Sequence, residues 1–411
     1  MAVLDLVDED AQTRTAPRRR TVTGELADST RFSRLIPQWE ELVARAAYGN
    51  VAMHPAVADA AAQSGAAVLV ALAWSGEDGD PGRRLVGAWI FTEGELFRSW
   101  TVRALVSPPD RNLILGAPVI DRAFTDEAMA ALVDAIAADR ALPRLLHLRE
   151  FPGGGEMAEA LRRALVRRGG AFSVRRRLVR PKLTPRPDPD AYLAEALSPK
   201  RRGGLRRCRR RLEEMGRVEV TRHDAPDEVR ETFEAFLVLE ASGWKGEGGT
   251  ALVQRSAPFV RRMVGRLAES GRVTIWALRL DGRPVAMEVL LHDGNVVYGW
   301  KSAYDETLRS LAPGFLLLEH VTRHLLGDAS LAFADMSNNR EFADTNGVAA
   351  FWTDRHEILD VLVALGPREA ALLQAAAVAG RLRSACGEVV RRLSPRSSPA
   401  PQAGASGPEG A

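Results

Sequence analysis

Residues Val273–Trp300 read VTIWALRLDGRPVAMEVLLHDGNVVYGW. Two apolar runs, Val273–Leu280 and Pro284–Leu291, flank Asp281-Gly282, and Asp293-Gly294 turns the chain again into Val296–Trp300. A tight hairpin needs positive φ in its turn, so Asp-Gly between such runs predicts an antiparallel meander. Beyond it come a polar stretch, a helical pattern over Gly314–Leu326 and a short strand over Leu331–Asp335. The same order occurs earlier in the chain. Ala67–Trp74, Leu85–Phe91 and Leu96–Trp100 read as strands, Asp126–Ala138 as a helix and Leu145–Arg149 as a strand. A supersecondary unit repeated in tandem predicts an α/β (α+β) architecture of two domains. Each is a mixed, mostly antiparallel sheet flanked by helices, and residues 30–180 and 190–365 should superpose.

Pro181-Lys-Leu-Thr-Pro-Arg-Pro-Asp-Pro189 carries four prolines, which cannot continue a helix or a central strand. The expected organisation is a disordered N-terminus (1–25), a first domain (26–180), a linker (181–189) and a second domain (190–365). A C-terminal helix (366–393) and a disordered tail (394–411) complete it. The 411 residues are 46% hydrophobic and 27% charged, an ordinary globular balance, with net charge +3. Cys208 and Cys386 lie far apart, outside any CxxC or Cys/His cluster, which argues against a structural zinc site and a disulfide framework. The acidic start lacks the pattern of a signal peptide, and no apolar run reaches the length of a membrane span. A cytoplasmic protein is expected.

Candidate chemistry concentrates after the meander. A strand ends near Lys301, a polar loop follows, and Pro313-Gly314 opens an apolar helix. Free N–H groups at a helix start suit a diphosphate, with Arg309 and Ser310 as further donors. The first copy, Trp100–Asn112, has no Lys after its Trp, no Tyr-Asp pair and no Pro-Gly start. It reads as a degenerate copy that shapes an acceptor cleft between the halves. In Lys200–Met215, Leu205, Cys208, Leu212 and Met215 fall on one helical face. The arginines on the other, Arg206, Arg207 and Arg210 among them, form either a solvated face or a docking strip for a phosphate-rich acceptor. His320 and His324 are one helical turn apart without a third ligand and read as solvated, so no metal is expected.

Leu239-Glu-Ala-Ser-Gly-Trp-Lys-Gly246, Trp300-Lys-Ser-Ala-Tyr-Asp-Glu306 and Ala312-Pro-Gly314 resemble the CelD-type branch of the GNAT superfamily. Those acetyltransferase-like proteins are linked to cellulose or other exopolysaccharide production and are similar to the Fem aminoacyl-transferases. The resemblance spans about residues 30–365 and is strongest over 190–340. It implies tandem GNAT-like domains with an acyl donor, acetyl-CoA or another acyl-CoA, bound near the second. Matching positions are Trp244, Lys245, Trp300, Lys301, Tyr304, Asp305, Pro313, Gly314 and Asp335. Lys301, Asp305 and Tyr304 are the catalytic candidates, and Arg309, Ser310, Pro313 and Gly314 the donor-binding ones. Trp244, Lys245, Trp300, Asp335 and the arginine strip are the acceptor-binding candidates. Glu288 is a further candidate base, but on an alternating strand it reads as outward-facing. The implied acceptor is an amino group on a phosphate-bearing sugar or lipid-linked molecule of the cell envelope, with exopolysaccharide machinery as a partner and no DNA. Two other readings stay open: transfer from aminoacyl-tRNA in the Fem manner, and a non-catalytic accessory role.

Overall fold

A computed structural model describes residues 21–97, 100–337 and 347–376. Its strands are β1 (Val22–Ala27), β2 (Val68–Ser75), β3 (Arg84–Phe97), β4 (Trp100–Ser107), β5 (Val119–Ile120), β6 (Leu145–Pro152) and β7 (Ala171–Leu183) in the first half. The second half has β8 (Val218–His223), β9 (Val273–Leu280), β10 (Arg283–Asp293), β11 (Val296–Tyr304), β12 (Phe333–Asp335) and β13 (Asp354–Ala364). Both meanders form as the turns require: Gly282 and Gly294 take positive φ, and β9, β10 and β11 pair antiparallel in sequence order. Each meander is followed by a helix, Thr125–Ala138 or Pro313–Leu326, and by a strand parallel to its last member. The fold is mixed α/β, with mostly antiparallel pairing in each half.

The repeat does not reveal how the halves join. β13, last of the described strands, lies between β6 and β7, pairing antiparallel with both. β7, last in the first half, reaches across to β12 through Ala334↔Leu183 and Asp335↔Lys182. Each half therefore lends its final strand to the other, and one continuous sheet of 13 strands results, where two self-contained copies would give two sheets. Pro181, expected to interrupt a strand, pairs with Arg355 inside β7. It lacks only a donor, and its carbonyl still accepts the Met336 N–H at 3.2 Å.

Three further expectations shift. Residues 22–25, assigned to a disordered N-terminus, open β1, whose Leu26 and Ala27 close onto β2 and the core. Leu96–Trp100 is not a strand of its own. Its described residues are the end of β3 and the start of β4, because β3 continues through Gly94, where a Cβ would meet Val106 Cγ2 at 2.8 Å. Met215, expected on the buried face of the Pro199–Glu213 helix, is half exposed, because that helix ends at Glu213 while Leu205 and Leu212 carry the packing. The expected C-terminal helix is seen over 367–376, and its remainder, with Cys386 and the tail, lies outside the described residues. No helix among the described residues is long and apolar enough to cross a membrane.

One core runs through both halves. Phe32, Trp39, Trp89 and Leu132 share it with Phe233, Phe236, Met263 and Val289. A second lies on the opposite face of the C-terminal sheet, beneath Pro313–Leu326, with Leu290, Val297, Leu316 and Trp352.

Candidate active site

β11 and β12 run parallel only over Val296–Tyr298 and Phe333–Asp335. Beyond that β12 ends while β11 continues to Tyr304, so the sheet opens into a notch. It is the parallel pair that diverges here. β11 is also bulged: pairing with β10 steps from Val289↔Lys301 to Leu290↔Gly299, leaving Trp300 as the extra residue. A bulge sharpens local twist and re-aims side chains. A cleft of about 720 Å³ passes through the notch, a volume suited to a small-molecule site.

Of the anticipated residues, Trp300, Lys301, Tyr304, Arg309, Pro313 and Gly314 line this cleft. Ala312 holds a left-handed conformation (φ 50°, ψ 45°) before the helix, and its carbonyl takes the N–H groups of Phe315 and Leu316. Pro313 has no N–H. Gly314 is thus left as the first-turn donor without a partner among the described residues, with the Tyr304 ring 3.4 Å from where its Cβ would be. The absence of that Cβ lets a ligand reach the backbone.

Other anticipated residues are placed elsewhere. Asp305 caps the turn Glu306–Leu311, accepting from Thr307 N at 3.0 Å, and pairs with Arg283 at 2.7 Å. Partial burial works against its charge, but those hydrogen bonds and the guanidinium hold its pKa below the usual carboxylate value. A carboxylate so occupied is a weak base. Asp335 is buried beside the notch, not in it. Its Oδ2 lies 3.1 Å from Arg180 and 3.4 Å from His356, and Arg180 also pairs with Glu150. Ser310 is exposed, with its carbonyl 3.9 Å from Cys208 Sγ, and Arg206, Arg207 and Arg210 are exposed on their helix, outside the cleft lining. Trp244 and Lys245 begin the short helix Trp244–Glu247, and their side chains lie outside the described ones. His324 is exposed, as expected, and His320 is half-buried. They pack against Trp276 at ring-centroid distances of 5.3 and 4.9 Å, and burial lowers both pKa values. Among the described residues no group of three or more His, Cys, Asp or Glu could hold a metal.

The principal correction is Glu288. It is 5% exposed, lines the cleft, and burial alone pushes its pKa up to about 7. Its Oε1 lies 3.4 Å from where a Cβ on Gly299 would stand. Met287 and Val289 face the shared core and Leu290 the core beneath Pro313–Leu326, so neither face of β10 is free for an outward-pointing side chain. The signal was available: a strand as uniformly apolar as Val285–Leu291 is covered on both faces, so a glutamate within it is enclosed.

The first half supplies part of the wall, through Arg111, Asn112, Leu113 and Ile114. Its own notch, between β4 and β6, is closed. Gly116 sits in it, donating to the Arg149 carbonyl at 2.7 Å, and a Cβ there would meet the Ser107 and Arg149 carbonyls.

Residues 199–336 match the family model described as an acetyltransferase (GNAT) domain. The match begins at the arginine-rich helix and ends just past β12, so it contains β8 to β12 and most of the cleft lining. Among solved structures the chain is similar to FemX, with TM-score 0.57 and 12% identity over 82% of this chain and 98% of that one. Looser likenesses are L-PGS from Bacillus licheniformis (TM-score 0.46, 12% identity, 84% and 96%) and a tandem GNAT protein from the clavulanic acid biosynthesis pathway (0.41, 17%, 84% and 99%). No curated protein matches the sequence. The chain is an acyl-transferring enzyme. More particularly, its second half carries an acetyltransferase domain of the GNAT type, over residues 199–336.

Proposed function

We propose that the chain moves an acyl group from acyl-coenzyme A to the amino group of a cell-envelope acceptor, in the β11–β12 notch, with Glu288 as the base. The observation that carries this reading is a buried carboxyl, titrating near 7, inside a cleft that crosses the sheet beside a helix start with a free N–H. Gly314 N–H and Arg309 serve the donor's phosphates on the side of Pro313–Leu326. The acceptor enters from the side of Arg111, Asn112 and Lys301. Its amine nitrogen attacks the thioester carbon, and the carbon–sulfur bond breaks. The amine proton passes to Glu288, and Tyr304 gives the leaving sulfur a proton that solvent restores. An amino sugar as acceptor and an exopolysaccharide setting rest on the resemblance of Trp300–Glu306 and its companion segments, and a cytoplasmic location on the two widely separated cysteines.

A second reading keeps the site but draws the acyl group from aminoacyl-tRNA. It is favoured by the exposed arginines of Pro199–Glu213, which border the turn carrying Arg309 through the Cys208–Ser310 contact. Thiol release from acetyl-CoA with a panel of amino sugars, beside filter binding of tRNA, separates the two.

The test of the base is Glu288→Gln. A carboxyl with pKa near 7 must lose its proton to accept one, so kcat/KM should rise with pH and level off above about 7. The variant should lose about 10²–10⁴-fold in kcat and the rise with it. A loss near twofold with the pH profile intact removes Glu288 from the chemistry.

A further inference from the structure

Tyr298↔Asp335 is the last pair between β11 and β12, so Gly299 and Met336 are the next residues on the two strands, at the closed end of the notch. Gly299 has no side chain, and its neighbours use the room. A Cβ there would meet Met336 Sδ at 3.0 Å and Glu288 Oε1 at 3.4 Å. The thioether therefore lies across Gly299, beside the carboxyl. A glycine inside a strand commonly marks such a close approach. Met336 is 6% exposed, and its N–H donates to the Pro181 carbonyl at 3.2 Å, so the exchanged strand β7 holds its backbone. Its side chain joins the core beneath Pro313–Leu326 with Leu317 and Leu318, and all three line the cleft.

The transfer itself sets the direction of the acyl chain. The attacking nitrogen stands between the thioester carbon and Glu288. Sulfur leads back to the donor's side and nitrogen to the acceptor's. The chain is left the closed end of the notch, where Met336 Sδ already lies and Leu290, paired with Gly299, belongs to the core behind it. A short chain fits against a thioether. A longer one has to push it into a packed core, which resists added methylenes.

We propose that Met336 is the specificity-determining residue for the acyl group: lying across Gly299, it admits an acetyl or propanoyl group and stops a longer chain. The proposal rests on the transfer reading above, and its test separates the two. Coenzyme A, acetyl-CoA and butanoyl-CoA are titrated calorimetrically into the full chain without acceptor. In an open pocket the buried methylenes would favour the longer chain. Here acetyl-CoA should bind at least about tenfold tighter than butanoyl-CoA. Met336→Ala should abolish or reverse that preference, because the vacated space takes the extra methylenes. Met336→Leu, of similar volume, should keep it. Coenzyme A carries no acyl group and should bind the natural chain and each variant within about twofold, which a collapsed cleft would not allow. Should the alanine variant fold poorly, Met336→Val must still narrow the preference by at least about threefold. Butanoyl-CoA bound by the natural chain as tightly as acetyl-CoA overturns the proposal alone. So does an undiminished preference in Met336→Ala or Met336→Val with coenzyme A binding intact. Binding of none of the three compounds overturns the acyl-coenzyme A reading, and this proposal with it.

Discussion

Glu288 and Asp305, 17 residues apart in the sequence, meet opposite fates, and their surroundings set their affinity for a proton. Glu288 is enclosed without an ion pair among the described residues, so its charged form is penalised and its proton becomes exchangeable near neutrality. Asp305 has an N-cap to make and a guanidinium to hold, so its charged form is favoured and it has little affinity for a proton. Asp305→Ala should accordingly act on stability. Loss of the cap costs about 1 kcal/mol. The Arg283 pair adds little, since that arginine is largely exposed. Thermal melts should show the loss while kcat stays within about threefold. A drop of about a hundredfold in a variant that melts normally would return the base to Asp305.

At the scale of elements, what the sequence discloses is what local chemistry dictates. The Asp-Gly turns specify the second meander because few residues accept their φ values. The Pro313-Gly314 start specifies the helix because proline fixes φ there and glycine leaves room. The exchange of β7 and β13 depends on pairing between segments about 180 residues apart, and no local pattern encodes that. Asp335 shows the same limit. It looks like a site residue from its strand-end position, yet Arg180, delivered by the exchanged strand, claims it. Arg180, Glu150 and Asp335 together stitch β7, β6 and β12 where the sheets join. Removing the arginine leaves two buried carboxylates facing each other. Arg180→Ala should cost about 3–5 kcal/mol in denaturant unfolding. Replacing all three by leucine should cost less than that single change, because the two buried carboxylates go with the arginine. A triple variant weaker than the single one would mean that the cluster's hydrogen bonds outweigh its desolvation.

Across the whole molecule, the halves are unequal in chemistry and inseparable in structure. The first half's notch is shut by its own Gly116 segment, and the same loop continues as the wall of the working cleft. One hydrophobic core passes from Trp39 and Leu132 to Phe233 and Met263, and β13, from the second half, completes the sheet of the first. Such a molecule should unfold as one unit. Calorimetry of the full chain should give a single transition with calorimetric and van't Hoff enthalpies in agreement. A chain ending at Thr353 removes the second half's final strand, yet the damage should appear in the first. β6 and β7 would both lose the strand between them, and Ile358, Leu359, Val361 and Val363 would leave the shared core. Hydrogen exchange should then show β6 and β7 losing protection together with β2 and β3, since buried core strands open with the global transition. Protection confined to the first half and unchanged by the truncation would mean that each half closes its own sheet, and that the exchanged strands decorate two independent domains.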